Sequence, residues 1–172
     1  MGLPIGPIVL ATNANRTLLD WHEDGVYRPR PAEATLANAM DVGAPSNFER
    51  LIDLPKDERD LWVELVDDKA IEERIAEEYE KSGYVLCPHS ATAMEAFRRL
   101  DPVIRETRPW IVAATAHPYK FAEIVEPLIG ETIAPPPALA AILDREPHVR
   151  RIPATLEALA EALAAHTYTE AA

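Results

Sequence analysis

The sequence predicts an α/β fold in which helices cover both faces of a parallel sheet. Two observations lead to this class: short apolar runs rich in β-branched residues recur along the chain, and segments with helical periodicity lie between them. The chain has 172 residues, of which 48% are apolar and 27% charged. These values suit a globular chain with one main core.

The N-terminal elements are predicted from one apolar run and its neighbours. Residues 5–11 have the pattern of a buried strand, and the polar turn 12–15 follows it. A helix is expected at residues 17–21, and two prolines make residues 25–32 irregular. Further on, Ser46 with a glutamate three residues later predicts a helix cap.

That cap predicts a short helix with Phe48, Leu51 and Ile52 on its inner face. The clearest helix spans residues 67–82, where apolar residues recur every four positions and Gly83 provides the C-terminal cap. Its many carboxylates are interpreted as a solvated face.

Strands and helices continue to alternate in the second half of the chain. The predicted elements are a short strand at 84–86, a helix at 88–100, a buried strand at 110–114, a helix at 118–128, a helix after the prolines 135–137, and an amphipathic helix at 154–166. This alternation is typical of parallel sheets.

Composition excludes several classes of function. The net charge of −12 disfavours nucleic acid as a partner, and no apolar run approaches the ~18 residues that span a bilayer. The N-terminus lacks the pattern of a signal peptide, and the single cysteine, Cys87, cannot form an internal disulfide. A cytoplasmic protein is therefore expected.

Polar residues follow three predicted strands, at residues 12–15, 87–90 and 115–117. Ligands collect beyond the carboxyl ends of strands in an open parallel sheet, so these segments predict a ligand crevice. The simpler alternatives are that Thr115 only bonds nearby backbone and that His89 and His117 cap helices. No metal site is predicted, since Cys87 and His89 form the single pair of potential ligands with close spacing.

Four segments in register carry a resemblance to a known family. They are MGLPIGPIVLATNAN at 1–15, ATLANAMDVGAPSNFERL at 34–51, GYVLCPHSATA at 83–93 and TAHPYKF at 115–121. Together they resemble the C-terminal part of threonine synthase, a pyridoxal phosphate enzyme of the tryptophan-synthase-β-like fold (fold type II). The likeness predicts that residues 1–130 belong to the large cofactor-binding α/β domain. Residues 131–172 are expected to form a helical tail packed on it.

The resemblance implies conversion of O-phospho-L-homoserine and water into L-threonine and phosphate. It also implies that Thr115 hydrogen-bonds the pyridine nitrogen of pyridoxal phosphate. A hydroxyl suits that position because, unlike a carboxylate, it does not hold a proton on the nitrogen. No residue of this chain is assigned a catalytic role.

In the family, the Schiff-base lysine and the loop that binds the cofactor phosphate lie upstream of the position matched by Met1. None of the four lysines, Lys56, Lys69, Lys81 and Lys120, stands at a matching place. We therefore expect the upstream half of the same enzyme as a partner, and a chain that alone neither binds the cofactor productively nor turns over. Its exposed sheet edge predicts partial order, dimerisation or aggregation when it is made alone.

Three positions depart from the family pattern, namely Arg16, Ala37 and Tyr119. Arg16 and Ala37 keep open an alternative, another pyridoxal phosphate-dependent lyase or β-replacement enzyme. The absent lysine keeps open a second, a non-catalytic binding or assembly module derived from the fold.

Overall fold

The structure is a computed structural model that describes residues 6–52, 61–147 and 149–165. The chain divides into two compact units, residues 1–134 and 135–172. The first unit contains β1 (Ile8–Thr12), α1 (Thr17–Asp24), α2 (Glu49–Ile52), β2 (Leu61–Leu65), α3 (Asp68–Ser82), α4 (Pro88–Arg99), α5 (Pro102–Glu106) and α6 (Ala122–Ile129). Its described residues also include the 3₁₀ turns Asn38–Met40 and Pro118–Phe121. The second unit contains α7 (Pro137–Leu143) and α8 (Leu156–Ala164).

The sheet formed by the described residues has two parallel strands. Ile8 of β1 is the register partner of Leu61 of β2, and the pairing continues to Thr12 opposite Leu65. Helix α4 contacts β1, and α1 contacts β2. The parallel pairing confirms the predicted α/β class, although β2 was not predicted from the sequence.

The core of the first unit lies between α3, α4 and α6. Ile71 and Ile75 of α3 and Val125 of α6 are fully buried there. Burying each of these side chains contributes about 1.5–3 kcal/mol. Helix α3 begins and ends as predicted, because the Asp67 carboxylate accepts the Ala70 N–H and Gly83 takes a left-handed φ of 70°.

Two predicted strands are wrong. Residues 84–86 and 110–114 are not strands, and Ile111, expected to be buried, is 96% exposed. A strand exists only when its N–H and C=O groups meet a neighbouring strand. The described part of the chain supplies no such neighbour to either segment.

Several boundaries also differ from the predictions. Helix α1 continues to Asp24, where Gly25 caps it, and the helix expected at 118–128 divides into a 3₁₀ turn and α6. Ile52 of the short α2 is 46% exposed rather than inward-facing, whereas Phe48 is buried as expected. The predicted strand start at Ile5 lies outside the described residues. No described helix is both long and apolar enough to cross a bilayer.

Candidate functional site

The polar residues at the end of β1 form a buried network. The Asn13 amide is fully buried and donates to Thr35 Oγ1 and to Asp41 Oδ1, both at 2.8 Å. Asn15 donates to the Glu33 carbonyl at 2.9 Å, and the Asn13 side-chain oxygen accepts the Asn15 N–H at 3.0 Å. These groups bond to one another and to the loop at residues 33–41. The network therefore anchors that loop to the end of β1.

The second polar segment opens helix α4. Cys87 is the N-cap, and its buried Sγ accepts the Ser90 N–H at 3.4 Å, while Pro88 occupies the first turn. Such a helix start supplies free N–H groups that the cap satisfies. Next in the chain, His89 is 7% exposed and packs its ring on Phe121 at 4.8 Å between centroids.

The hydrogen bond to His89 fixes its tautomer. The Ala39 N–H donates to His89 Nε2 at 2.9 Å, so in the neutral ring the proton is on Nδ1. Nδ1 is buried and has no hydrogen-bond partner within the described part of the chain. Burial lowers the pKa of His89 and the nearby Lys120 ammonium lowers it further, while the Asp41 carboxylate acts in the opposite direction. A neutral imidazole follows.

The third polar segment contains Thr115 and His117. His117 caps the following 3₁₀ turn, because its Nδ1 accepts the Tyr119 N–H at 3.2 Å. This confirms the simpler alternative for His117. Thr115 is exposed, and it lines a cavity of about 670 Å³.

That cavity brings together two of the three predicted polar segments. Thr115 and His89 both line it, with apolar residues such as Leu18 and Met40 around them. The segment at residues 12–15 is absent from its walls. Trp110 also lines the cavity, a role not predicted from the sequence, and its indole N–H is buried without a partner among the described residues.

Pyridoxal phosphate, the cofactor that the resemblance implies, fits one part of this cavity. The apolar walls suit an aromatic ring, and the uncharged Thr115 hydroxyl suits a ring nitrogen. No lysine lines the cavity within residues 6–52, 61–147 and 149–165, since Lys69 and Lys81 are on α3 and Lys120, although near His89, is not part of the wall. The described residues also contain no cluster of three or more potential metal ligands.

The chain is similar to known proteins in sequence. Residues 90–163 match the family model described as "Threonine synthase, C-terminal". Over 171 residues the chain is 34% identical to the threonine synthase of Escherichia coli, an alignment that covers 96% of the chain and 39% of that enzyme. The chain matches the C-terminal portion of threonine synthases. The predicted resemblance is confirmed.

Solved threonine synthases share the fold of this chain. The crystal structure of the E. coli enzyme has a TM-score of 0.73 and 34% identity over 96% of the chain and 39% of that protein. A structure of pyridoxal phosphate-bound threonine synthase from Brucella melitensis has a TM-score of 0.73 and 28% identity, covering 85% of the chain and 37% of that protein. The chain thus spans about two fifths of the threonine synthases that it matches.

Two of the departures from the threonine synthase pattern lie away from the cavity. Arg16 forms an ion pair with Asp20 at 2.6 Å and is not part of the cavity wall. Ala37 is fully buried in the core, and its carbonyl accepts a bond from Asn13 at 3.3 Å. Neither substitution therefore changes the lining of the candidate site.

Proposed function

We propose that this chain forms the C-terminal part of the cofactor cleft of a cytoplasmic threonine synthase, which converts O-phospho-L-homoserine and water into L-threonine and phosphate. The observation that carries this proposal is the similarity of almost the whole chain, in sequence and in fold, to the E. coli threonine synthase. Arg16 and Ala37 lie outside the cavity wall and so give no support to a different substrate.

Thr115 is the residue proposed to face the pyridine nitrogen of the cofactor. Its position in the cavity wall and its uncharged hydroxyl support this role. When bound, pyridoxal phosphate serves as an electron sink for the substrate. A hydroxyl orients the ring without fixing a proton on its nitrogen, whereas a carboxylate would stabilise the protonated ring.

His89 is proposed to help hold the neighbouring wall of the same cleft. Its Nε2 anchors the loop at Ala39, and its lowered pKa keeps the ring uncharged at neutral pH. An uncharged ring adds no second positive charge beside Lys120. Lys120 therefore does not repel the His89 ring, and the hydrogen bond from Ala39 keeps the loop attached to α4.

The upstream part of a threonine synthase is the proposed partner. It would supply the lysine and the phosphate-binding loop that the cleft needs, because the described cavity wall contains neither. The chain alone is accordingly proposed to be inactive.

The test is a reconstitution. The chain is co-expressed with the segment of E. coli threonine synthase that precedes the matched portion, and the purified complex is loaded with pyridoxal phosphate. Release of phosphate and threonine from O-phospho-L-homoserine is expected from the complex and not from the chain alone. A folded, cofactor-loaded complex that releases neither product would contradict the proposal and favour a non-catalytic module.

A further inference from the structure

Met40 lines the cavity, and the residues on either side of it are attached to other parts of the first unit. After it, the Asp41 carboxylate accepts the Asn13 amide at 2.8 Å. Before it, the Ala39 N–H donates to His89 Nε2 at 2.9 Å. The position of Met40 in the cavity wall therefore depends on a bond to β1 and its polar turn on one side and a bond to α4 on the other.

The two attachments respond differently to a proton. The Asn13 side chain that donates to Asp41 does not titrate. His89 accepts through Nε2, which carries the lone pair of the neutral ring. A proton on Nε2 turns this acceptor into a second N–H donor, and that donor faces the N–H of Ala39. Protonation of His89 therefore replaces a hydrogen bond with a contact between two donors.

The site around His89 has no free acceptor for a protonated ring within the described residues. Nδ1 is buried without a hydrogen-bond partner there, and the side chain as a whole is 7% exposed. Asp41 already uses both carboxylate oxygens, since Oδ1 accepts from Asn13 and Oδ2 accepts the Thr35 N–H. A buried cation with unpaired donors is costly. Proton uptake therefore requires the ring to lose its bond to Ala39.

Charged groups act on His89 from two of the elements around it. Burial has the largest effect and lowers the pKa of His89, the Lys120 ammonium lowers it further, and the Asp41 carboxylate raises it. Helix α3, which also packs against α4, is joined to it by the ion pair of Arg74 and Glu95 at 2.8 Å. Strand β1 carries no charged side chain. The closed site thus favours the neutral ring.

We propose that the hydrogen bond from Ala39 to His89 is an acid-sensitive latch on the cavity wall. The neutral His89 ring holds the turn Asn38–Met40 against α4. A proton taken up from solvent at Nε2 breaks this bond and releases the turn, and Met40 with it, while Asp41 stays attached to Asn13. The latch depends only on contacts within this chain, so it holds whichever ligand occupies the cavity.

The strength of the coupling follows from the titration of a released ring. A histidine in contact with water has a pKa of about 6.5. If only the released ring binds the proton, the equilibrium constant for release should rise about thirtyfold between about pH 7.5 and about pH 5. Release of a short turn is a local opening, which amide hydrogen exchange detects even when the open form is rare.

Hydrogen exchange of the whole chain provides the test. The protection factor of the Ala39 amide, which corrects for the intrinsic pH dependence of exchange, should fall at least about tenfold between these pH values. The Met40 amide, bonded to the Ala37 carbonyl at 2.8 Å, should follow it. A smaller fall for Ala39, or a Met40 amide that keeps its protection, would overturn the latch.

Two substitutions of His89 provide matched controls. His89→Gln keeps an acceptor but does not titrate, so protection of Ala39 should remain high and change less than about twofold with pH. His89→Ala lacks the acceptor, so protection should be low at both pH values. A glutamine variant that loses protection in acid as the wild type does would refute the proposal, and this comparison decides even if the alanine variant does not fold.

Low concentrations of urea separate local release from unfolding of the whole chain. Release of a three-residue turn exposes little surface, so exchange of Ala39 at about pH 5 should be nearly independent of urea. Exchange that increases with the urea dependence of global unfolding would mean that the turn opens only with the entire fold. His89 would then not be a latch.

Discussion

Polar residues follow both β1 and residues 110–114, and their surroundings in the structure are opposite. After β1, the side chains of Asn13 and Asn15 bond inward to a loop that the chain itself supplies. After residues 110–114, Thr115 is exposed at a cavity, and the segment before it lacks a partner within the described residues. The end of β1 is complete, because Asn13 and Asn15 have hydrogen-bond partners within the chain, and it stabilises the fold. The other end is open to the cavity, and the proposed ligand contact of Thr115 is located there.

Polar residues that follow a strand can therefore either stabilise the fold through buried hydrogen bonds or stand exposed at a cavity. A buried network in which each donor has an acceptor is strong because breaking it leaves unsatisfied groups. A hydroxyl in an open wall costs nothing when unpaired, since water reaches it. Substitutions of the buried residues after β1 should therefore change stability strongly, whereas substitutions of Thr115 at the open end should change it little.

The largest effect is expected for Asn13→Ala. The change removes bonds to Thr35, Asp41 and Asn15 inside the protein and should lower the free energy of unfolding by about 3 kcal/mol. Urea unfolding followed by tryptophan fluorescence measures it. Asn38→Ala, at an exposed position, is the control and should change stability by less than about 0.5 kcal/mol. Equal effects of the two substitutions would contradict a stabilising network.

His89 gives the next largest effect. His89→Ala removes the acceptor of the Ala39 N–H in a buried place and should cost about 2 kcal/mol. His89→Gln retains an acceptor at the reach of Nε2 and should cost about half as much. The two unfolding midpoints test this order. A glutamine variant no more stable than the alanine variant would show that the bond to Ala39 contributes little.

The sequence predicted the complete parts of the molecule better than the incomplete ones. Helix α3 was predictable because its cap at Asp67, its apolar period and Gly83 are all local signals. Strand β2 was missed because it depends on β1, which is far away in the chain. Residues 110–114 were wrongly predicted as a strand because their composition is that of a strand, while the neighbour that would make them one is not among the described residues.

The candidate site was predicted in part for the same reason. Thr115 and His89 were located near a crevice because each follows an apolar run. Asn13 was wrongly grouped with them, since no local pattern shows that Thr35 and Asp41 reach it. No local sequence pattern indicated that Trp110 lines the cavity.

At the open end, Thr115→Val should separate ligand binding from stability. The exposed hydroxyl contributes little to folding, so unfolding should change by less than about 0.5 kcal/mol. In the complex with the upstream segment, losing the proposed partner of the ring nitrogen should weaken pyridoxal phosphate binding about tenfold, or about 1.4 kcal/mol. Absorbance titration measures this affinity.

The matched control for that titration is Thr132→Val, which changes an exposed threonine that does not line the cavity. It should leave the affinity unchanged. Cofactor binding by Thr115→Val that equals the binding of this control would remove Thr115 from the site.

The smallest effect is a pH dependence from His89. Its pKa in the folded chain is lowered by burial and by Lys120, so the unfolded chain takes up the proton at a higher pH. The stabilisation is therefore fully present above the ordinary histidine pKa of about 6.5 and is lost as pH falls toward the folded value. Urea midpoints between about pH 7.5 and 5 should decrease for the wild type more steeply than for His89→Gln. Asn38→Ala, which changes no titratable group, should retain the wild-type slope. If His89→Gln also kept the wild-type slope, the loss of stability in acid would come from other groups. The proposal that an uncharged His89 imidazole stands in the cavity wall would then be wrong.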